Sequence, residues 1–205
     1  MPYRLDMSMM LVLHDALRRE VERVARVAAK TGDDPRRILA AAAGWELFKK
    51  FLRVHHTTED DVLWPAMRGA VTADGLALLD AMEDEHAAID PLLDAVDAAL
   101  VDREHGAGRL AGLVDALATG LHGHLRHEES DGLALIDATL GQEEWSRFGQ
   151  THRGRIGDDL TTYLPWLLDG RTPRVAAALL GNLPPAVREA YRDDWRPAYD
   201  RLTLY

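Results

Sequence analysis

The chain has 205 residues, 34 of them acidic and 24 basic, for a net charge of −10 and no cysteine. That balance opposes nucleic-acid backbones and anionic membrane surfaces, whose recognition relies on clustered cations. The missing thiols exclude disulfide scaffolds, iron–sulfur clusters, thiolate zinc sites and cysteine nucleophiles, while nine histidines remain.

Apolar residues recur at intervals of three and four, which predicts an all-α protein. A first helix spans residues 5–29, with Met7, Met10, Leu11, His14, Leu17, Val21 and Val24 on one face. Thr31, Gly32 and Asp33 stop it, and Asp34 and Pro35 restart the chain as N-cap and first helical residue. The second helix runs to residue 67, with Pro65 predicted to kink or end it. Thr72 or Asp74 opens a third helix that ends near Val101, and Pro91 inside it predicts a kink or a break capped by Asp90. Gly106 and Gly108 mark a loop before a fourth helix over residues 109–129. Asp131 and Gly132 turn the chain into a short helix, residues 133–139. Residues 1–140 therefore read as an up-and-down four-helix bundle. Residues 141–205 read as a helical extension packed on it: one helix to residue 168, then two shorter ones starting at Thr172–Pro173 and at residues 182–185. No stretch resembles a targeting segment, and no uncharged run approaches the ~20 residues of a membrane span, so a soluble, cytoplasmic protein is expected.

Each bundle helix carries a histidine inside its apolar stripe: His14, His55, His86 and His124. Glu59 follows His55 by four residues and Glu128 follows His124 by four, and residues so spaced share a helical face. Two buried carboxylates without cations are costly, and no lysine or arginine shares these stripes at that level. Metal ions remove the cost. Carboxylates bridging two ions ~3.5–4 Å apart, with imidazoles outside them, make a dinuclear site. Nitrogen and oxygen donors without sulfur suit iron or manganese, and also zinc. One histidine on an apolar face reads as a hydrogen-bonded core residue, but four of them, one per helix and two with an inward glutamate, do not. His56 with Asp60 and His127 with Asp131 have the same spacing. Lys49 and Arg53 flank the face of His56, and Gly120 and Gly123 precede His127, so both read as surface residues or neighbours of the site. His105, His122 and His152 read as bystanders, His152 on the surface or in helix packing.

The order His14, His55-x-x-x-Glu59, His86, His124-x-x-x-Glu128 resembles the hemerythrin-like, HHE cation-binding domain. The strings HHTTEDDVLWP (55–65) and HLRHEE (124–129) resemble that family's motifs, and the likeness spans roughly residues 8–140. PWLLDG (165–170) and residues 183–199 resemble the tail of actinobacterial members. The resemblance implies two iron ions joined by an oxo or hydroxo bridge. Glu59 and Glu128 would bridge them, with His14 and His55 on one iron and His86 and His124 on the other. Oxygen-carrying members have a fifth histidine four residues after the third-helix ligand, where this chain has Asp90. Asp90 either ligates through its carboxylate or leaves an open position on that iron, and both outcomes weaken the case for reversible oxygen carriage. A ferritin-like carboxylate site needs two Glu-x-x-His motifs. Only Glu83 with His86 supplies one, which argues against that rival.

Family members bind dioxygen, sense oxygen or iron, or act on nitric oxide or peroxide. The expected function is therefore a non-haem di-iron protein that binds or turns over O2, H2O2 or NO. The alternative is a metal- or oxygen-responsive sensor without turnover. The expected partner is a small diatomic or peroxide ligand, with a homodimer through the extension as a further expectation. A purely structural helical protein would leave Glu59 and Glu128 buried without partners.

Overall fold

Four helices line the interior of the molecule. The computed structural model describes residues 3–30 and 34–205, and no strand occurs among them. Helix α1 is Ser8–Ala28; it buries Leu13, while Leu11, expected inward, is 37% exposed. The stop expected at residues 31–33 lies outside the described residues. Helix α2, Pro35–Ala41, begins as predicted, with the Asp34 side chain accepting from the Arg36 backbone N–H and Pro35 in the first turn.

The single helix expected over residues 35–67 is broken. Ala42 is extended (φ −89°, ψ 130°) and separates α2 from α3, Ala43–Thr58. The C-terminal tail caps the new start: the N–H groups of Ala43 and Gly44 donate to the carbonyls of Thr203 and Leu204. A side chain at Gly44 would collide with Tyr205. Nor does the chain end or break at Pro65. A π-helical turn, Glu59–Leu63, leads directly into α4, Trp64–Arg68. Proline lacks an N–H and its ring crowds the carbonyl one turn back. The wider turn accommodates it, and the Trp64 N–H bonds to the Glu59 carbonyl.

Helix α5, Ala73–Val101, is capped by Thr72 and runs unbroken through Asp90 and Pro91, so the break expected there does not occur. Helix α6, Gly106–His127, includes the two glycines expected to form a loop. A side chain at Gly106 would strike the Ala99 carbonyl, so glycine permits the close α5–α6 junction. The turn expected at Asp131–Gly132 is instead a second π-helical turn, Glu128–Gly132, continuing into α7, Leu133–Thr139.

The predicted helix from residue 141 to 168 is two helices. They are α8, Gln142–Ile156, and α9, Leu160–Leu168, separated by a 3-10 turn, Gly157–Asp159. Gly157 has φ +52°, a conformation that other residues avoid, and this ends α8. Helices α10, Pro173–Gly181, and α11, Pro185–Ala190, start where the sequence predicts. A π-helical turn, Tyr191–Trp195, and α12, Arg196–Tyr199, complete the extension.

The bundle has two apolar clusters with a polar layer between them. One contains Leu17, Val21, Phe48, Leu52, Leu93, Val96, Leu117 and Leu121. The other contains Met7, Met10, Leu63, Trp64, Leu79, Met82, Leu133 and Ile136. Along α1 and α5 the chain passes from the second cluster to the first; from α3 into α4, and from α6 into α7, it passes back. That alternation is the up-and-down order expected of the bundle. The histidines His14, His55, His86 and His124 sit at the crossover of each helix.

The extension packs on α1 and α3. Phe51 meets Tyr163 and Trp166 of α9 at ring-centroid distances of 4.9 and 4.8 Å. Arg19 donates to the carbonyls of Trp166 (2.6 Å) and Asp169 (2.7 Å). Arg23 pairs with Asp169 at 2.8 Å, and the Tyr205 hydroxyl donates to buried Glu20 at 2.7 Å. No helix among the described residues is long and apolar enough to cross a membrane.

Candidate metal centre

The polar layer gathers six of the seven residues singled out from the sequence. His14, His55, Glu59 and Glu128 form one buried group whose ligand atoms all lie within 4.8 Å of one another. His86 and His124 form a second such group, and its third member is His56. Asp90 belongs to neither group; it is half-buried, and its Oδ1 is buried without a hydrogen-bond partner 3.9 Å from His56 Nδ1.

Of the two positions expected for His56, the surface one is overturned and the one beside the site is where it lies. It is 1% exposed, its ring stacks on His86 at 3.9 Å, and it meets His124 edge-on at 5.2 Å. Residues adjacent on a helix point about 100° apart, so His55 and His56 turn inward toward different neighbours. His55 faces His14 on α1, and His56 faces α5 and α6. His127, by contrast, is half-exposed and binds Glu85 at 2.8 Å.

Imidazole nitrogens converge in both groups. His14 Nε2 and His55 Nε2 are 3.2 Å apart, and His86 Nε2 and His124 Nε2 are 3.1 Å apart. Two ring nitrogens ~2.1 Å from a shared ion and at a near-right angle to it lie about 3 Å from each other. Their outer nitrogens are held by carboxylates. His14 Nδ1 meets Glu129 (2.9 Å), His86 Nδ1 meets Asp60 (2.7 Å) and His124 Nδ1 meets Glu85 (2.9 Å). Arg18 fixes Glu129 through two bonds of 2.7 and 2.9 Å. An outer carboxylate on a ligating histidine sets the ring's tautomer and increases its basicity. Of these three acids the sequence pointed only to Asp60, and as the partner of His56 rather than of His86.

The two glutamates span the groups. Glu59 Oε1 lies 3.2 Å from His55 Nδ1, and its Oε2 lies 3.5 Å from His86 Nε2. Glu128 Oε2 lies 3.1 Å from His14 Nε2 and 3.8 Å from His124 Nε2. Both glutamates begin a π-helical turn. At the second, a Cβ on residue 132 would come within 3.0 Å of Glu128 Cγ, so Gly132 leaves that side chain its room.

Without a cation the layer is electrostatically poor. Both oxygens of Glu59 and Glu128, both nitrogens of His56 and Nδ1 of His55 are buried without a hydrogen-bond partner. Their close contacts are proximity without hydrogen-bond geometry. Burial, then the neighbouring Glu128, pushes the Glu59 carboxyl well above the ordinary range. Burial and neighbouring imidazoles hold His55 and His56 well below it. Burial opposes charge on His14, but Glu128 and Glu129 outweigh it and raise the ring to about 9. Burial likewise opposes charge on Glu129, yet His14 and Arg18 lower it to about 2. Buried polar groups left unpaired are rare and call for an explanation. Cations between the groups supply one, and the nitrogen and oxygen donors present fit them.

A family model for the hemerythrin HHE cation-binding domain matches residues 7–136, well over half of the chain. The chain belongs to the hemerythrin HHE family. No curated protein and no solved structure matches it. In this hemerythrin-like protein the matched segment holds all the converging side chains, His14 through Glu128, and stops before α8. The helices beyond residue 141 therefore extend past the matched region.

Proposed function

We propose that the polar layer holds a dinuclear non-haem iron centre that binds or turns over a small oxidant: dioxygen, peroxide or nitric oxide. The observation that carries this reading is the pair of buried glutamates: Glu128 lies beside the converging Nε2 atoms of His14 and His124, and Glu59 lies beside Nε2 of His86 and Nδ1 of His55. In this reading His14 and His55 hold one ion, His56, His86 and His124 hold the other, and Glu59 and Glu128 bridge them. His56 then supplies, from α3, the fifth imidazole that the third helix lacks, and Asp90 is left outside the ligand set. An ion held by His14 and His55 would have fewer imidazole ligands than one held by His56, His86 and His124. Iron there would supply redox chemistry and an exchangeable position. The chain's own part is to orient the imidazoles through Glu129, Asp60 and Glu85, and to exclude bulk water with apolar clusters on either side. Zinc or manganese would fit the same donors, and a homodimer through the extension is compatible with this reading.

The test is aerobic purification, metal counting, and visible spectra before and after azide, peroxide and dithionite. Two irons per chain, with a charge-transfer band that azide shifts and dithionite bleaches, are expected. Peroxide loss above that of free iron marks turnover, and its absence with an intact band marks a sensor or carrier. A colourless, metal-free protein after iron reconstitution would overturn the proposal.

A further inference from the structure

Between α1 and the C-terminal helices lies a partly enclosed cavity of about 430 Å³. Its walls are mostly apolar: Met9 and Leu13 from α1, Phe148 from α8, Leu164 from α9 and Val187 from α11. His55 lines it as well, so the cavity reaches the polar layer. A diatomic oxidant needs roughly the volume of one water, ~30 Å³. The cavity is more than ten times larger and falls in the ~300–1,000 Å³ range of organic-ligand sites, which combine apolar walls with a few polar groups.

One such group is His152, on α8. Its ring lies 6.4 Å from Phe148 and 5.9 Å from Tyr163, and its Nε2 is buried without a hydrogen-bond partner. In the tautomer that leaves Nε2 as the acceptor, a ligand N–H or O–H would remove this cost. The exposed charges on the lining are Asp6 and Arg153, of opposite sign, so the site favours neither ionic class. Small-oxidant chemistry has no use for this volume, and most of its lining lies beyond residue 136, outside the matched family region.

We propose that this cavity binds a small, uncharged, largely apolar organic molecule with one hydrogen-bond donor, its donor on His152 and its inner end beside His55. The cavity's contents do not depend on the metal assignment; only the nearness of the ligand to a metal rests on it.

The probe is N-phenyl-1-naphthylamine, an uncharged fluorophore with one N–H whose emission rises in apolar surroundings. It is titrated into the full chain, metal-loaded and metal-stripped, with metal content measured separately. Saturable binding at one probe per chain is expected in both forms. Gly149 lines the cavity on α8, and a Cβ there meets nothing within 4 Å. Gly149→Trp places an indole at the cavity wall with no clash at its Cβ and is expected to weaken or abolish binding while metal content and circular dichroism stay unchanged. His152→Phe keeps the shape and is expected to weaken the probe about tenfold, the loss of one hydrogen bond. Three results would overturn the proposal: no saturable binding, undiminished binding by a folded Gly149→Trp, or a stable dimer that excludes the probe. Probe binding without metal, or metal without probe binding, separates this inference from the proposed metal centre.

Discussion

Glu85 illustrates how the charge around the centre is arranged. Its two oxygens take Nδ1 of His124 (2.9 Å) and Nδ1 of His127 (2.8 Å), so one exposed-side acid orients a buried ring. Glu85→Ala should lower metal affinity by about 10–100-fold without unfolding the bundle, measured by competition with a chelator. His56→Ala should remove or loosen one of two metals, whereas Asp90→Ala should keep both, as counted per chain. The reverse result would restore Asp90 as the ligand. The contrast also explains what the sequence concealed. Lys49, seven residues before His56, makes that face read as solvated. In the fold Lys49 is itself buried, bound to Asp97 at 2.7 and 2.8 Å and lying 5.4 Å over the Trp45 ring. A long cation that snorkels along an apolar surface disguises an interior stripe as an exterior one. The other four imidazoles and both glutamates were legible because their helical stripes are otherwise apolar.

At the scale of elements, helix type and order were legible and junctions were not. The helix is interrupted at Ala42, and Thr203 and Leu204, at the far end of the chain, accept from Ala43 and Gly44 in the first turn of α3, which no local pattern encodes. The π-helical turns that begin at Glu59 and Glu128 were signalled only by Pro65 and Gly132, which local rules read as ends. Gly106→Ala should cost about 1–3 kcal/mol in denaturant unfolding, because the new methyl meets the Ala99 carbonyl of α5. The α9 end is held by charge. Burial opposes ionisation of Asp169, but Arg23, then Arg19 and Arg196, outweigh it and hold its carboxyl below the ordinary value of 3.8. A depressed carboxyl stabilises the fold above its unfolded value, and that contribution is lost as pH falls through the lower folded value. The extension should therefore loosen below pH 3.8, read by emission of buried Trp166, and Asp169→Asn should cost about 1–2 kcal/mol at neutral pH. Equal stability of that variant at neutral pH would show that packing alone holds the extension.

For the whole molecule, two apolar clusters enclose a layer of buried imidazoles and carboxylates. The layer is the costly part of the interior, since its polar atoms lack partners. Metal binding and folding are then linked: a ligand bound only by the native state at about a thousandfold above its dissociation constant adds about 4 kcal/mol. Chelation should lower the melting temperature by several degrees, and readdition of iron should restore it. The extension was legible as added helices, but its cavity was not, because its walls come from α1 and from helices far later in the chain. The most direct measurement is an anomalous-difference map at the iron edge from crystals of the iron-loaded protein. Two peaks ~3.5–4 Å apart are expected between Glu59 and Glu128, one against His14 and His55 and the other against His56, His86 and His124. A single peak, or none within the polar layer, would overturn the dinuclear assignment.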